Sequence, residues 1–279
     1  MLNIEGYGFS EIYKKVCVNL LEKGNEISPR GMKTKEINGV IIKIQNPRTR
    51  ILNSNLRKIS LAFAIGEWLW CLSGREDLEM IQYYAPSYYK YSDDGLILNG
   101  AYGPRINNSL DKIINLLKSD KDTRRAVIPI YSKEDAGKKS NDIPCTLSLQ
   151  LFIRNNKLDM YTSMRSNDVF LGLPYDVFNF TMWQEYIACR LGVNLGTYTH
   201  MVSSIHVYEK DVCKLQHIIN LKEVKENIML NMPKENIEEQ VKNLIKMEEN
   251  IRKGFIYNKK LISNYFQLLV EELERYHNR

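Results

Sequence analysis

The sequence predicts a mixed α/β fold, organised as one catalytic body with a helical extension at its C-terminal end. Apolar residues recur at helical spacing over the first 24 residues, and again after about residue 233. Between about residues 124 and 208, several stretches instead alternate apolar with polar residues, as half-buried strands do. The chain has 279 residues and shows neither an internal repeat nor a Gly/Ser linker, so it is long enough to bury one large core.

The predicted helices carry apolar stripes that end at residues known to stop helices. The first contains Phe9, Ile12, Val16 and Leu20 and is expected to end at Gly24. The remaining helical segments are predicted at about 55–72, at 175–191 before Gly192, and at 233–279.

The predicted strands are short alternating segments separated by polar turns. They lie at 38–45, 124–131, 145–153, 158–164 and 197–208. Residues 77–105 are rich in Tyr, Asp and Gly, which predicts an irregular loop with some helix at its start. In the last strand, Ser204, His206 and Tyr208 share one face. That face suits either the recognition of a sugar hydroxyl or simple exposure to solvent.

Composition excludes several classes of protein. With 44% hydrophobic and 26% charged residues, the chain is neither disordered nor fibrous. Its longest apolar run, 61–72, is interrupted by Glu67 and is too short for a membrane span. Residues 1–8 lack a signal pattern, and the five widely spaced cysteines form no CxxC pair. We therefore expect a cytoplasmic protein without a disulfide framework or a metal site.

Two side chains are candidates for chemistry. Cys145 follows a proline at a loop-to-strand junction, where it is either an accessible thiolate near arginines or a buried, inert thiol. Glu67 lies among apolar and aromatic turns of a helix. It is either a buried acid or base with a raised pKa or a glutamate that reaches solvent at the helix edge.

Arginines cluster in patterns that suit a phosphate. Arg30 precedes a glycine, Arg124 and Arg125 open a strand, and Arg165 closes one beside Ser166. Guanidinium groups bind oxyanions in a bidentate manner, although each arginine alone could be a surface charge. The net charge of +6 also suits an anionic ligand. The chain contains neither a P-loop nor GxGxxG, which excludes those two phosphate sites.

Several motifs together resemble the thymidylate synthase family over about residues 25–212. These motifs are G-E-W-L-W (66–70), A-Y-G (101–103), D-T-R-R (122–125), P-C-x-x-x-x-Q (144–150), R-S-N-D-x-x-L-G-L-P (165–174) and H-V-Y (206–208). The resemblance implies a single catalytic domain with a thymidylate synthase-like mixed sheet flanked by helices. It also implies a homodimer, with 5,10-methylenetetrahydrofolate as the carbon donor and no metal.

The resemblance assigns roles residue by residue. Cys145 is implied to be the nucleophile that adds to pyrimidine C6, Glu67 manages proton transfers, and Tyr102 lies near the reacting carbons. The implied substrate ligands are Arg30, Gln150, Arg165, Ser166, Asn167, Asp168, Asp176, His206 and Tyr208, with Arg124 and Arg125 from the partner subunit. The residues implied to meet the folate are Asp168, Leu171, Gly172 and Tyr175.

One departure from the family points to a different base. Where thymidylate synthases carry Asn in L-G-x-P-F-N, this chain has Asp176, which we assign to both base reading and catalysis. An amide matches uracil O4 and N3–H, whereas a carboxylate accepts from the amino group of cytosine. Thr146 stands where the synthases usually have His, and the segment 164–172 together with W-Q-E-Y (183–186) is more similar to phage deoxycytidylate hydroxymethylase. The apolar C-terminal tail of the synthases is not visible, and charged helix occupies 233–279 instead.

The predicted activity is therefore 5-hydroxymethylation of CMP or dCMP. The steps are a Cys145–C6 adduct, transfer of a methylene group to C5, and addition of water. The alternatives are a divergent thymidylate synthase that methylates dUMP, and a non-catalytic member that binds RNA or protein. Neither a membrane nor nucleic acid is expected as a substrate or partner of the enzyme, and the choice between ribose and deoxyribose stays open.

Overall fold

One mixed sheet organises the chain, which a computed structural model describes over residues 1–222 and 224–279. Within those ranges it contains eight strands and eight α-helices. The strands are β1 (Leu2–Gly6), β2 (Asn25–Ile27), β3 (Thr34–Ile44), β4 (Val127–Pro129), β5 (Thr146–Arg154), β6 (Lys157–Met164), β7 (Asn167–Asp168) and β8 (Asn194–Tyr208). The helices are α1 (Phe9–Lys23), α2 (Leu61–Leu72), α3 (Leu78–Tyr84), α4 (Tyr102–Ser119), α5 (Leu173–Leu191), α6 (Glu209–Ile219), α7 (Ile237–Lys253) and α8 (Asn264–His277).

The order of the strands brings distant parts of the sequence together. Along the sheet the order is β1-β3-β8-β6-β5-β4, while β2 pairs with β3 and β7 pairs with β8. The long strand β8 runs antiparallel to β3 and parallel to β6 and β7. The predicted mixed sheet flanked by helices is therefore confirmed.

Some element boundaries differ from the predictions. Helix α2 begins at Leu61 and not near 55, because the Ser60 side chain caps it by accepting from the backbone N–H of Phe63 at 3.2 Å. The predicted strand at 124–131 is shortened to Val127–Pro129. Gly192 ends α5 with a φ of 71°, as predicted for a helix stop, whereas Gly24 ends α1 in an extended conformation.

Two helices are missing from the sequence prediction. Helix α4 starts inside the expected loop 77–105, and α6 follows directly after β8. Helix α4 begins with Gly103 and Pro104 in its first turn, and these residue types are typical of loops. Its apolar stripe, with Ile106 and Leu110, starts only after them. A proline in the first helical turn loses no hydrogen bond, so the helix tolerates it.

The C-terminal extension packs onto the catalytic body. Helix α8 lies against α2, and α7 lies against α5 and α8. Nearby, the fully buried Arg50 donates to Glu185 at 2.5 Å, and Arg48 donates to the same carboxylate at 2.7 Å. Glu185 also accepts from the backbone N–H of Met232 at 3.1 Å. These contacts compensate the buried carboxylate and attach the segment before α7 to the core.

The two faces of the sheet differ in burial. Leu149, Leu151 and Met160 are fully buried on one face. The alternate positions Phe152 and Tyr161 remain half-buried, and their rings contact edge to face at 5.5 Å. The described helices include no segment that is both long and apolar enough to cross a membrane.

Candidate active site

Cys145 lies where the loop before β5 meets the sheet. Its carbonyl oxygen accepts from the backbone N–H of Arg165 at 2.8 Å, and the guanidinium of Arg165 donates to Pro144 O and Ile143 O, both at 2.9 Å. Burial raises the pKa of the half-buried Cys145 thiol overall, and the charges of Asp176 and Asp142 add to this rise, whereas the charges of Arg165 and Arg30 oppose it. The arginines therefore favour the thiolate that a nucleophile requires.

Arg30 approaches this centre from a tight turn between β2 and β3. Its φ of 54° places it in the left-handed region, and Gly31 follows with a φ of 78°. The side chain of Arg30 is exposed. A guanidinium in this position is open to an incoming phosphate.

His206 and Tyr208 share one face at the end of β8, as the alternation predicted. Both are half-buried, whereas Ile205 and Val207 are fully buried on the opposite face. The two rings lie 5.3 Å apart, and His206 Nδ1 is 3.5 Å from Ser166 Oγ. The structure thus brings Ser166, from the loop before β7, beside the histidine.

Arg124, Arg125 and Gln150 lie apart from this cluster. Both arginines are exposed, and Gln150 Nε2 donates to the carbonyl oxygen of Arg124 at 3.1 Å. Among the described residues, no hydrogen bond or ion pair connects either arginine with Cys145. Within one chain, these three residues belong to the edge of the sheet formed by β4 and β5.

Glu67 is a buried carboxyl group on α2. Its Oε1 accepts from the hydroxyl of Tyr88 at 2.8 Å. Burial raises the pKa of Glu67 to about 7, although hydrogen bonds from Tyr88 and Asn179 lower it in part. Sequence reasoning missed Tyr88 and Asn179, because one lies in an irregular turn and the other resembles a core position of α5. Near neutral pH, Glu67 can either hold or release a proton.

Asp176 lies on the first turns of α5 and faces Asn167. Its Oδ2 accepts from Asn167 Nδ2 at 2.7 Å. Burial, and then the charge of Glu67, raise the pKa of Asp176 to about 7. A Cβ at Gly172 would lie 3.0 Å from Asn167 Nδ2 and 3.2 Å from Asp176 Oδ2. Both distances are shorter than an ordinary van der Waals contact, so a larger residue would displace one or both side chains of this hydrogen bond.

Tyr102, which the family resemblance places near the reacting carbons, is the first residue of α4. Its ring stacks on Phe180 with centroids 5.9 Å apart. Burial, and then the charges of Asp176 and Cys145, raise the pKa of Tyr102 well above its usual value. The hydroxyl therefore stays protonated and available as a hydrogen-bond donor.

The residues assigned to the folate form the turn between β7 and α5. Asp168 Oδ1 accepts from the backbone N–H groups of Phe170 and Leu171 at 2.7 and 2.9 Å. Leu171 is 45% exposed, so its side chain is open to a ligand. Tyr175 is anchored because its hydroxyl accepts from the backbone N–H of Ser60 at 3.0 Å.

Arg57 is a candidate site residue that the sequence analysis missed. Its guanidinium lies 4.7 Å from the ring centre of Phe170 and 5.3 Å from that of Tyr175. Its Nη1 is buried without a hydrogen-bond partner among the described residues, and Lys214 Nζ lies 4.8 Å from the Phe170 ring. Two cations beside aromatic rings fit an aromatic co-substrate with carboxylates, such as a folate.

The described part of the chain contains no cluster of metal-ligating side chains. Across residues 1–222 and 224–279, no three His, Cys, Asp or Glu side chains converge into a group that could hold an ion.

Comparison with known proteins places this arrangement in a family. The family model described as thymidylate synthase matches residues 11–257, which extends into the helical extension and beyond the expected 25–212. The chain is 32% identical over 229 residues to a deoxyuridylate hydroxymethyltransferase of Bacillus phage SP01, covering 76% of this chain and 60% of that protein. It is 34% identical over 188 residues to one of Delftia phage PhiW-14, covering 62% and 53%.

A thymidylate synthase of Bacillus subtilis subsp. natto is 27% identical over 238 residues, covering 77% of this chain and 82% of that protein. The chain thus spans only 53–60% of the length of the two hydroxymethyltransferases named above. Members of the thymidylate synthase family are one-carbon transferases that bind a pyrimidine nucleoside monophosphate and use methylenetetrahydrofolate as co-substrate. The chain belongs to the thymidylate synthase family.

Proposed function

We propose that the protein 5-hydroxymethylates a cytidine monophosphate, CMP or dCMP. The observation that carries this proposal is the carboxylate of Asp176, which accepts from Asn167 where the family has a base-reading amide. As a carboxylate, Asp176 accepts from the N4 amino group of cytosine and repels O4 of uracil. A mismatched polar contact in such a buried site costs about 1–3 kcal/mol, which is enough to select one base.

The proposed roles follow from the surroundings of each side chain. The Cys145 thiolate adds to C6 of the base, and C5 becomes nucleophilic. The co-substrate, beside Arg57 and Tyr175, supplies a one-carbon unit at the oxidation level of formaldehyde. Glu67 removes the C5 proton through water, because its pKa of about 7 allows it to accept and return a proton. Loss of that proton breaks the bond to the folate nitrogen, so that tetrahydrofolate leaves with the proton it requires and an exocyclic methylene group remains on C5. Water then adds to this methylene, and elimination of the Cys145 thiolate from C6 restores the base without any change in oxidation state.

The names of the relatives support the addition of water over the addition of hydride. Three curated relatives, from phages SP01, M6 and PhiW-14, are hydroxymethyltransferases at 32–34% identity. A methyl product would require hydride from the folate instead, as in the thymidylate synthases.

A second candidate is hydroxymethylation of dUMP. The same three relatives are named for deoxyuridylate. In addition, the pKa of about 7 at Asp176 makes its neutral acid form accessible. A neutral carboxylic acid has one donor and one acceptor, so it can match uracil O4 and N3–H as an amide does.

We further propose that the protein acts as a homodimer in the cytoplasm, with residues 1–279 as one catalytic domain. A second copy on the open sheet face would bury Phe152 and Tyr161. It would also bring Arg124 and Arg125, both exposed near the sheet edge, toward the phosphate in the partner's site. All five cysteines lie in the described ranges and carry free thiols.

The direct test is product analysis. The protein is incubated with methylenetetrahydrofolate and, separately, with CMP, dCMP, UMP and dUMP, and each nucleotide is analysed by mass spectrometry. We expect a hydroxymethyl product from a cytidine nucleotide. A hydroxymethyl product from dUMP alone would support the second candidate, and a methyl product would identify a divergent synthase. No product from any nucleotide would support a non-catalytic member.

A further inference from the structure

A row of buried polar side chains leads from the interior of the sheet to Asp176. Asn167 Oδ1 lies 2.9 Å from His200 Nε2, and His200 Nδ1 lies 2.8 Å from the hydroxyl of Tyr198. The Tyr198 hydroxyl lies 3.1 Å from Thr162 Oγ1. All four side chains are at most 4% exposed, and three of them are fully buried. We call Thr162, Tyr198, His200 and Asn167 the relay.

Chemistry at the Asp176 end sets the direction of the hydrogen bonds between Asp176 and Tyr198. An ionised carboxylate only accepts, so Asn167 must direct its NH2 group toward Asp176 and its carbonyl oxygen toward His200. A carbonyl oxygen only accepts, so His200 must carry its proton on Nε2. The ring is neutral, because burial lowers the pKa of His200 to about 3. Its Nδ1 is then an acceptor for the Tyr198 hydroxyl, which also lies 3.1 Å from Thr162 Oγ1.

The opposite direction requires a different state of Asp176. If Asn167 turned its carbonyl oxygen toward Asp176, the acid would have to be protonated on Oδ2. His200 would then need its proton on Nδ1 so that Nε2 could accept from the Asn167 amide. Reversal therefore requires an amide flip, a change of histidine tautomer and a protonated acid, all inside a core without solvent.

We propose that the relay acts as a specificity device, in which His200 is a positioning residue that holds the Asn167 amide as a donor to Asp176. This donation keeps Asp176 Oδ2 an acceptor and favours the carboxylate that selects cytosine. The consequence for base choice rests on the proposed function. The direction of the relay itself is a property of the protein without a substrate.

The first experiment measures that direction. Nitrogen-15 spectra of histidine-labelled protein distinguish the two tautomers, and the His200→Gln variant assigns the His200 signals. We expect the Nε2–H tautomer, with no titration between about pH 5 and 8. The Nδ1–H tautomer, or a titration within that range, would overturn the relay, whatever the substrate of the enzyme.

The second experiment measures the consequence for base choice. His200→Leu removes the donor to Asn167, whereas His200→Gln keeps a donor at one end and an acceptor at the other. We expect His200→Leu to lower the ratio of kcat/KM for cytidine over uridine nucleotides about fivefold or more, and His200→Gln to stay within about twofold of the wild type.

A matched control is Thr199→Val. Thr199 is buried beside His200 on β8, and its Oγ1 has no hydrogen-bond partner among the described residues. This variant should leave the ratio of kcat/KM for cytidine over uridine nucleotides unchanged. If His200→Leu fails to fold, Tyr198→Phe tests the same point, because it removes the donor to Nδ1 and should also lower the ratio. An unchanged ratio in the folded relay variant would refute the specificity role. A wild type that prefers uracil would refute the proposed function but leave the tautomer result standing.

Discussion

Asp176 on α5 and Glu67 on α2 are two buried carboxyl groups that share one electrostatic environment. The pKa of each is raised to about 7, mainly by burial, and the charge of Glu67 adds to the rise at Asp176. Because two negative charges in a partly desolvated site repel, ionisation of Glu67 makes ionisation of Asp176 less favourable. Under the proposed function, Asp176 reads the base and Glu67 moves protons, so the charge of Glu67 would influence base reading.

Exchanging the base-reading carboxylate for an amide should change the preferred base. We expect the wild type to prefer cytidine nucleotides by at least about 10-fold in kcat/KM, which corresponds to about 1.4 kcal/mol. Asp176→Asn should move the preference toward uridine nucleotides without abolishing the chemistry, because Cys145 and Glu67 remain. Tritium release from C5 in paired competition assays measures the ratio. Equal rates on both bases in the wild type would contradict the cytosine assignment.

Base preference should also depend on pH. Above the pKa of about 7, Asp176 is ionised and rejects uracil, whereas below it the neutral acid can match uracil. The preference for cytosine should therefore decrease as the pH falls from about 8 to 6. Competition assays at both pH values measure it, and Asp176→Asn serves as the control because it cannot titrate. A constant ratio in the wild type would argue against this role of Asp176.

Glu67 should reduce the free energy of unfolding as the pH rises. Its pKa increases from 4.5 to about 7 on folding, so the folded state holds the proton more tightly. The resulting stabilisation is present below pH 4.5 and is lost as the pH rises through about 7, with an upper limit of about 3 kcal/mol.

Glu67→Gln removes this titration and retains an acceptor for Tyr88. We expect the variant to lose less stability than the wild type between about pH 5 and 8, measured by urea unfolding. The comparison uses the difference between the two proteins, so titrations of groups that Glu67 does not influence cancel, whereas Asp176 loses the part of its pKa rise that the charge of Glu67 causes. If the free energy of unfolding depended on pH identically in both proteins, folding would not raise the pKa of Glu67.

Cys145→Ser should abolish turnover while binding of the nucleotide survives. A serine hydroxyl is a much weaker nucleophile near neutral pH, whereas Arg30 and Arg165 are unchanged. Product formation and calorimetric titration with the nucleotide measure the two properties. Cys213→Ser is the matched control, because Cys213 is exposed on α6, and it should retain both. Near-normal turnover of Cys145→Ser would rule out covalent catalysis by this residue.

Shared active sites predict complementation between two inactive variants. Mixed and reassociated Cys145→Ser and Arg125→Ala subunits should form hybrids in which one site carries neither change. Random pairing restores about a quarter of the wild-type activity, because half of the dimers are hybrids and each has one intact site. Steady-state rates before and after mixing measure this recovery. A monomer that is fully active at low concentration would contradict the shared site.

The sequence was sufficient to predict the structural features that depend mainly on residues close together in the chain. The alternation in β5, β6 and β8, and the stripe and glycine stop of α5, were predicted because backbone periodicity and chain turns depend on neighbouring residues. Helix α4 was missed because Gly103 and Pro104 resemble a loop until a following apolar stripe packs against α2 and α5. The start of α2 was misplaced because only the Ser60 cap defines it.

By itself, the sequence determined the family and the chemical character of Cys145, Glu67 and Asp176, since their residue types and motifs are local properties. Only the tertiary structure decided which groups surround them. Tyr88 reaches Glu67 across 21 residues, and His200 reaches Asn167 across 33. Such contacts depend on how strands and helices pack, and no spacing in the sequence encodes them. The same packing removes water from both carboxyl groups, so their raised pKa values are consequences of the fold and not of the residue types.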